Sequence, residues 1–185
     1  YKRQAIANYF VAQSSCDSDE LFPETITLPL TRHATLRYGE NPHQLAAAYR
    51  QTDAPASPNV LSAKQLNGKA LSYNNLMDAD AALFIARSLP DCGVSVIKHS
   101  NPCGAASAAS IGEATKRAME GDPVSAFGSI LGFNQPVDEE SAEYLATPGL
   151  FVEAIVAPSF TDAAKEILTT KPKWKANVRL LEVGS

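Results

Sequence analysis

Gly93-Val-Ser-Val-Ile-Lys98-His99-Ser-Asn-Pro-Cys103-Gly104-Ala-Ala106 is the stretch on which the reading of the whole chain turns. It begins as a short apolar run, Val94 to Ile97, of the length and residue type of a buried strand. Two proton-active side chains, Lys98 and His99, follow back to back. Asn-Pro-Cys-Gly then reads as a turn that opens a helix rich in small residues, over about Ala105 to Glu120. Pro102 keeps Asn101 from continuing that helix backwards, and Gly104 lets the backbone come close to a ligand. The first amides of the expected helix favour an anion. Open α/β sheets hold their ligands where a strand hands over to a helix.

The same alternation continues downstream. Phe127 to Phe133 reads as a second strand with a helix after Asp138. Val152 to Val156 reads as a third strand with a helix from Asp162 to Thr169, and Val178 to Leu181 is a final apolar run. Apolar strands alternating with helices predict an α/β protein with a mostly parallel sheet and helices on both faces. In such a sheet the strand C-termini share one edge, so Lys98, His99, Asn134 and Ala157-Pro158 are expected at a common rim. Gly128 permits close backbone approach within its strand, while Phe127 is by residue type a core side chain more often than not.

Upstream, Asn67-Gly68 signals a turn. Asn74 or Asn75 is placed to cap a helix whose Leu76, Ala79, Leu83 and Ala86 share a face. Leu36-Arg37-Tyr38-Gly39-Glu40-Asn41-Pro42-His43-Gln44 is punctuated as a loop between two extended pieces, Thr25 to Leu30 and Leu45 to Arg50. A loop dense in Arg, Tyr, Asn and His is a candidate for ligand contact; the bland alternative is a surface loop with capping duties. Tyr1 to Ala12 reads as a short helix. Residues 14–24, polar and acidic with Pro23 among them, read as a linker.

The totals fit one sizeable core. The 185 residues carry 45% hydrophobic and 19% charged side chains, ordinary for a globular protein. A net charge of −4 argues against a nucleic-acid partner, and no apolar run approaches the ~20 residues of a membrane span. The opening Tyr-Lys-Arg-Gln-Ala-Ile is basic without a following apolar core, so it is not a signal peptide, and the lack of a first Met is expected of a piece of a longer chain. Three scattered cysteines, Cys16, Cys92 and Cys103, fit a reducing, cytoplasmic setting better than a disulfide framework.

Lys98 and His99 are the sharpest candidates for chemistry. Histidine titrates near neutral pH and moves a proton in either direction. A charged lysine stabilises a developing oxyanion. Adjacent residues on a strand point to opposite faces, so both reach one substrate only if the backbone turns here. The bland alternative is a solvated lysine beside a hydrogen-bonded histidine. Cys103 after Pro102 raises a zinc reading, because zinc-dependent base deaminases pair His-x-Glu with Pro-Cys-x-x-Cys. Here Asn101 stands two after His99 and Ala106 three after Cys103, so no metal is expected and Cys103 reads as a small buried thiol. No G-x-G-x-x-G, P-loop, G-x-S-x-G or H-E-x-x-H motif occurs.

Four motifs stand in order: Leu36-Arg37-Tyr38-Gly-Glu-Asn-Pro-His-Gln44, Leu66-Asn-Gly-Lys-Ala-Leu-Ser-Tyr-Asn-Asn75, Lys98-His99-Ser-Asn-Pro-Cys-Gly104 and Asp122-Pro-Val-Ser-Ala-Phe127-Gly128. Together they resemble the family of bifunctional purine biosynthesis proteins that carry AICAR transformylase and IMP cyclohydrolase. The resemblance runs from about residue 35 to the end, and the first helix is similar to the tail of the preceding cyclohydrolase domain. It implies that residues 1–24 are helix and linker from that domain. Residues 25–185 are then the first subdomain of the transformylase, of cytidine-deaminase-like fold. The second subdomain, which holds most folate contacts, is absent, so the chain alone is expected not to complete the reaction.

That reaction is formyl transfer from 10-formyltetrahydrofolate, a co-substrate, to the 5-amino group of AICAR, in a cytoplasmic homodimer with sites built across the interface. By motif, His99 is the general base or proton shuttle and Lys98 the oxyanion stabiliser. Arg37 and Tyr38 contact the nucleotide, Asn75 orients the carboxamide and amine, and Phe127 and Gly128 line the nucleotide pocket. Where the family has an Asp in the third strand, this chain has Glu153, which keeps the charge on a longer arm. The amine is a weak nucleophile because its lone pair is delocalised, so its attack needs proton removal and a stabilised tetrahedral oxyanion. The alternative is a nucleotide-phosphate-binding module that uses Arg37 and Tyr38 without turnover.

Overall fold

The computed structural model describes Ile6, Tyr9, Phe10, residues 28–52 and residues 57–184. Ile6, Tyr9 and Phe10 are helical; the rest of the expected first helix, the linker at 14–24 and the start of the expected strand at Thr25 lie outside the described residues. Leu30–Thr35 (β1) and Ala47–Gln51 (β2) pair antiparallel as a separate ribbon, with the Arg37–Gln44 loop between them. The main sheet contains Lys64–Asn67 (β3), Cys92–Lys98 (β4), Asn101–Ala108 (β5), Ser129–Phe133 (β6), Val152–Ala157 (β7) and Arg179–Glu182 (β8). Their spatial order is β3-β8-β7-β6-β4-β5.

Helices cover both faces, as the strand–helix rhythm requires. Tyr73–Ser88 (α1) lays Ala79, Ala82 and Leu83 on Ile97, Ile130, Val156 and Leu181. Ile111–Glu120 (α2), Glu139–Leu145 (α3) and Asp162–Thr170 (α4) bury Ala114, Leu145 and Leu168 on the other face, against Val94, Leu131, Ile155 and Leu180. Ser72, Ser110, Asp138 and Thr161 cap the four helices, each side chain accepting from a backbone amide three residues on. Ser72, not Asn74 or Asn75, is the cap of α1. β6 is buried along its whole length, and each of its large side chains contributes about 1.5–3 kcal/mol by leaving water.

Other expectations change as well. The sheet is mixed rather than mostly parallel: β6–β7 and β7–β8 are parallel, while β3–β8, β4–β6 and β4–β5 are antiparallel. And no helix opens at Asn-Pro-Cys-Gly. Residues 101–108 form β5, which folds back on β4 through a two-residue hairpin with Lys98 facing Asn101. Pro102 is tolerated because β5 is an edge strand, where its missing amide breaks no ladder. The small residues, which look like helix formers, let α2 lie close on the strand. A Cβ on Gly104 would stand 1.9 Å from the Ala118 carbonyl oxygen, so the glycine admits a helix rather than a ligand. The strand–helix–strand crossover is therefore β5-α2-β6, with β4 between its strands.

The reversal of β4 moves the site. Val94 faces Phe133 and Ile97 faces Ile130, so the C-terminal end of β4 meets the N-terminal ends of β6, β7 and β8. Asn134 and Ala157-Pro158 lie at the opposite end and do not join Lys98. Asn134 instead accepts from the Gly93 amide (2.7 Å) and donates to the carbonyls of Leu89 and Asp91, closing the entrance to β4.

Candidate functional site

Lys98, His99, Phe127, Gly128 and Glu153 lie at or beside that N-terminal edge, Asn75 of α1 reaches Glu153 there, and the loop with Arg37 and Tyr38 docks on the start of α1. Lys98 closes β4. Its ammonium donates to the carbonyl of Phe127 at 2.8 Å, which ties it to the segment entering β6. Phe127 is not a core residue: it is 56% exposed, with its ring 5.4 Å from that of Phe151. Gly128 follows at φ +76°, a conformation that favours glycine, and its amide donates to the Phe151 carbonyl. The turn between Phe127 and β6 therefore depends on that glycine.

His99 and Ser100 are the two central residues of the β4–β5 hairpin, at φ 53° and 60°. Two left-handed residues make the turn type whose twist suits a two-residue hairpin, normally filled by Asn-Gly. Each non-glycine residue held in this region costs roughly 1–3 kcal/mol. The Asn101 side chain donates to the His99 carbonyl at 2.8 Å, and Asp78 of α1 accepts from the Ser100 amide at 2.7 Å. The imidazole itself is exposed and makes no hydrogen bond or ion pair among the described residues. The backbone does turn at Lys98-His99, and neither side chain is sealed in the interior.

Asn75 sits three residues after the Ser72 cap. Its side-chain oxygen accepts from both the amide and the hydroxyl of Ser72, at 3.1 and 2.9 Å. With the oxygen held in this capping box, the amide nitrogen of the buried Asn75 side chain reaches Glu153 Oε1 at 3.4 Å. That contact is long and leaves the nitrogen free for a better acceptor. Glu153, early in β7, also accepts from Arg179 at 2.7 Å. Arg179 begins β8; its side chain is only 4% exposed and also donates to the Lys69 carbonyl, whereas Glu153 keeps 35% of its side chain in water. The longer arm of Glu153 thus spans from the buried guanidinium to the rim.

Arg37 and Tyr38 are carried by the loop after β1. The Arg37 amide donates to the Leu71 carbonyl and the Tyr73 amide to the Tyr38 carbonyl, which docks the loop on the start of α1. The exposed Arg37 guanidinium donates to the Tyr38 hydroxyl at 2.8 Å and lies 4.5 Å from the ring centre. This hydrogen bond holds the Tyr38 phenol below the ordinary tyrosine value against the opposing effect of burial. The Cys103 thiol, half-buried behind Lys98, is pushed up by burial and donates to the Val96 carbonyl, as a structural thiol would.

Two residues of this arrangement, Asp78 and Arg179, stand outside the four motifs. Asp78 lies one helical turn beyond Asn75 with no motif of its own. Ser72 stands inside the second motif and takes the cap expected of Asn74 or Asn75. Arg179 had a legible signal: one charge inside the apolar run Val178 to Leu181, and a charge buried in a strand needs a partner. The site offers cationic groups in Arg37 and Lys98, an amide donor in the buried Asn75, a carboxylate in Glu153 and, in His99, an exposed imidazole without a partner among the described residues. Such a set binds a polar ligand bearing both donors and acceptors and can move a proton on it. A cleft of about 800 Å³ lies elsewhere, between β2, residues 57–62 and Val183, and its walls contain none of these residues. No described helix is long and apolar enough to cross a membrane.

Comparison with known proteins agrees with the motif order. The family described as AICARFT/IMPCHase bienzyme matches residues 2–185. The bifunctional purine biosynthesis protein PurH of Rhodopirellula baltica is 55% identical over 181 residues, which is 98% of this chain and 34% of that protein. The PurH proteins of Shouchella clausii and Oceanobacillus iheyensis are 49% and 45% identical, over 88% and 96% of this chain and 30% and 33% of their own lengths. The chain spans about a third of the length of these relatives.

Proposed function

The chain belongs to the AICARFT/IMPCHase bienzyme family, and from that we propose that it contributes the catalytic Lys-His of an AICAR transformylase. Residues 25–185 form the first transformylase subdomain, and residues 1–24 are the tail of the cyclohydrolase domain. The formyl donor is 10-formyltetrahydrofolate. The 5-amino nitrogen of AICAR attacks the formyl carbon, forming the new C–N bond and a tetrahedral oxyanion. His99 takes the amine proton, and Lys98 stabilises the oxyanion. Collapse breaks the bond to the folate nitrogen, and the proton passes to that leaving nitrogen.

The remaining residues position the nucleotide. Arg37 suits its phosphate, because a planar guanidinium makes paired charge-assisted hydrogen bonds, and Tyr38 is held beside it. Asn75 and Glu153 meet the carboxamide and amine as donor and acceptor. Phe127 and Gly128 line the nucleotide pocket. The full protein acts as a homodimer, and a chain a third as long as its relatives does not complete the transfer alone.

The observation that carries this reading is the exposed imidazole of His99, without a partner among the described residues, in a left-handed turn next in sequence to the tethered Lys98. The test is His99→Ala in the full-length gene product. Tetrahydrofolate release should fall about 10²–10⁴-fold, while AICAR affinity by calorimetry stays within a few-fold. Unchanged turnover would show a binding module instead.

A further inference from the structure

Asn75 and Asp78 stand three residues apart on one face of α1. Asn75 looks toward Glu153; Asp78 looks toward the hairpin. One oxygen of Asp78, Oδ1, accepts from the Ser100 amide at 2.7 Å and from the Ser100 hydroxyl at 3.4 Å. This is the contact between the helix and the tip of the turn. The tip needs such a contact. His99 and Ser100 are both left-handed without being glycine, so the chain left to itself prefers to rotate out of this conformation. The Asn101 bond to the His99 carbonyl is local and moves with the turn. The Asp78 bond comes from a helix fixed to the sheet by Ala79, Ala82 and Leu83, so it anchors the turn to the rest of the molecule. The amide of Ser100 points at that carboxylate in the observed turn; a flip of the preceding peptide would turn it away and leave Asp78 facing a carbonyl.

We propose that Asp78 is a positioning residue that holds the 99–100 turn in its left-handed conformation and so sets where the His99 imidazole stands. It touches neither substrate nor reacting atom. It acts through Ser100 on a side chain of the site that has no partner among the described residues. The consequence for formyl transfer rests on the role given to His99 above; the hold on the turn does not.

The experiment has two arms. In the first, NMR amide–Hα couplings and sequential NOEs of His99 and Ser100 are measured in this chain. Asp78→Ala should abolish the single left-handed pattern, Asp78→Asn should keep it because its carbonyl oxygen still accepts, and Asp78→Ala with Ser100→Gly should restore it because glycine needs no external hold. In the second, the full-length gene product is assayed. Asp78→Ala should lower kcat about 10–100-fold with KM for AICAR within about 3-fold, since misplacing a reacting group by about an ångström costs on the order of 10²-fold, and adding Ser100→Gly should recover most of that loss with no change in thermal midpoint required. A turn unchanged in Asp78→Ala overturns the proposal, as does a loss of kcat that Ser100→Gly leaves untouched. If the parent full-length protein transfers no formyl group while the NMR arm behaves as expected, the functional reading fails and the hold on the turn stands.

Discussion

Tyr38 carries the clearest electrostatic mark at the level of single residues. The Arg37 guanidinium, hydrogen-bonded to its hydroxyl, favours the phenolate and lowers the folded-state value. A lowered acid contributes stability that is fully present above its unfolded value and is lost as pH falls through the folded one. The gain from ionisation therefore appears only in the alkaline range, around and above the ordinary tyrosine value near 10. At neutral pH the phenol is protonated and the contact is a hydrogen bond between a cation and a neutral oxygen. Ultraviolet titration should show one tyrosine ionising ahead of the others. Tyr38→Phe should remove that step, and Arg37→Ala should move it upward; a step that stays in place without Arg37 would refute the assignment. Arg37, Tyr38, Asn75, Lys98, His99, Phe127 and Gly128 were all legible as a set because they stand in short motifs. Asp78 was not, because its meaning lies in a partner 22 residues away along the chain, and Arg179 showed only as a charge inside an apolar run, its partner standing 26 residues away.

Among the elements, β5 and α2 show how composition misleads. Ala105-Ala-Ser-Ala-Ala109 has helical propensity, yet residues up to Ala108 are strand. Propensity is a weak prior that tertiary packing overrides, and here the small side chains are needed for the approach of α2. Gly104→Ala would place a methyl 1.9 Å from the Ala118 carbonyl oxygen, a backbone atom that cannot swing aside. Overpacking of this kind costs about 1–3 kcal/mol, so the urea midpoint should fall with an unchanged slope. A variant as stable as the parent would mean that α2 does not press on β5 as described. The apolar runs of β6 and β7, by contrast, were readable in place: a buried strand must be apolar on both faces, and the residues after each one switch to helical spacing.

Across the whole molecule, one short chain of polar contacts joins the front helix to the last strand. Asn75 of α1, Glu153 of β7, Arg179 of β8 and the Lys69 carbonyl before α1 are linked in sequence. Removing Glu153 leaves the Arg179 charge buried without its partner. Breaking a buried pair from one side costs about 3–5 kcal/mol, and the low end, roughly 3 kcal/mol, applies here because Glu153 remains partly in water. Glu153→Ala should therefore destabilise far more than the double variant Glu153→Ala with Arg179→Met, which removes both charges and refills the space. Equal losses in denaturant titrations of the two variants would show that the pair is not what couples β8 to the site.

By itself the sequence determined the α/β class, the positions of the buried runs after residue 128 and the order of the four motifs, because each of these is written in local spacing and residue type. Only the tertiary structure decided which way β4 runs, and with it which end of the sheet holds the site. An apolar run looks the same whichever neighbour it pairs with, and Asn-Pro-Cys-Gly is compatible with a turn into a helix or a turn into an edge strand. The choice is made by hydrogen bonds to β6, thirty and more residues away, and by the fit of α2 on the small side chains of β5. Those interactions exist only once the chain is folded, and they carry Lys98 and His99 to the N-terminal ends of the parallel strands, where Glu153 and Arg179 stand.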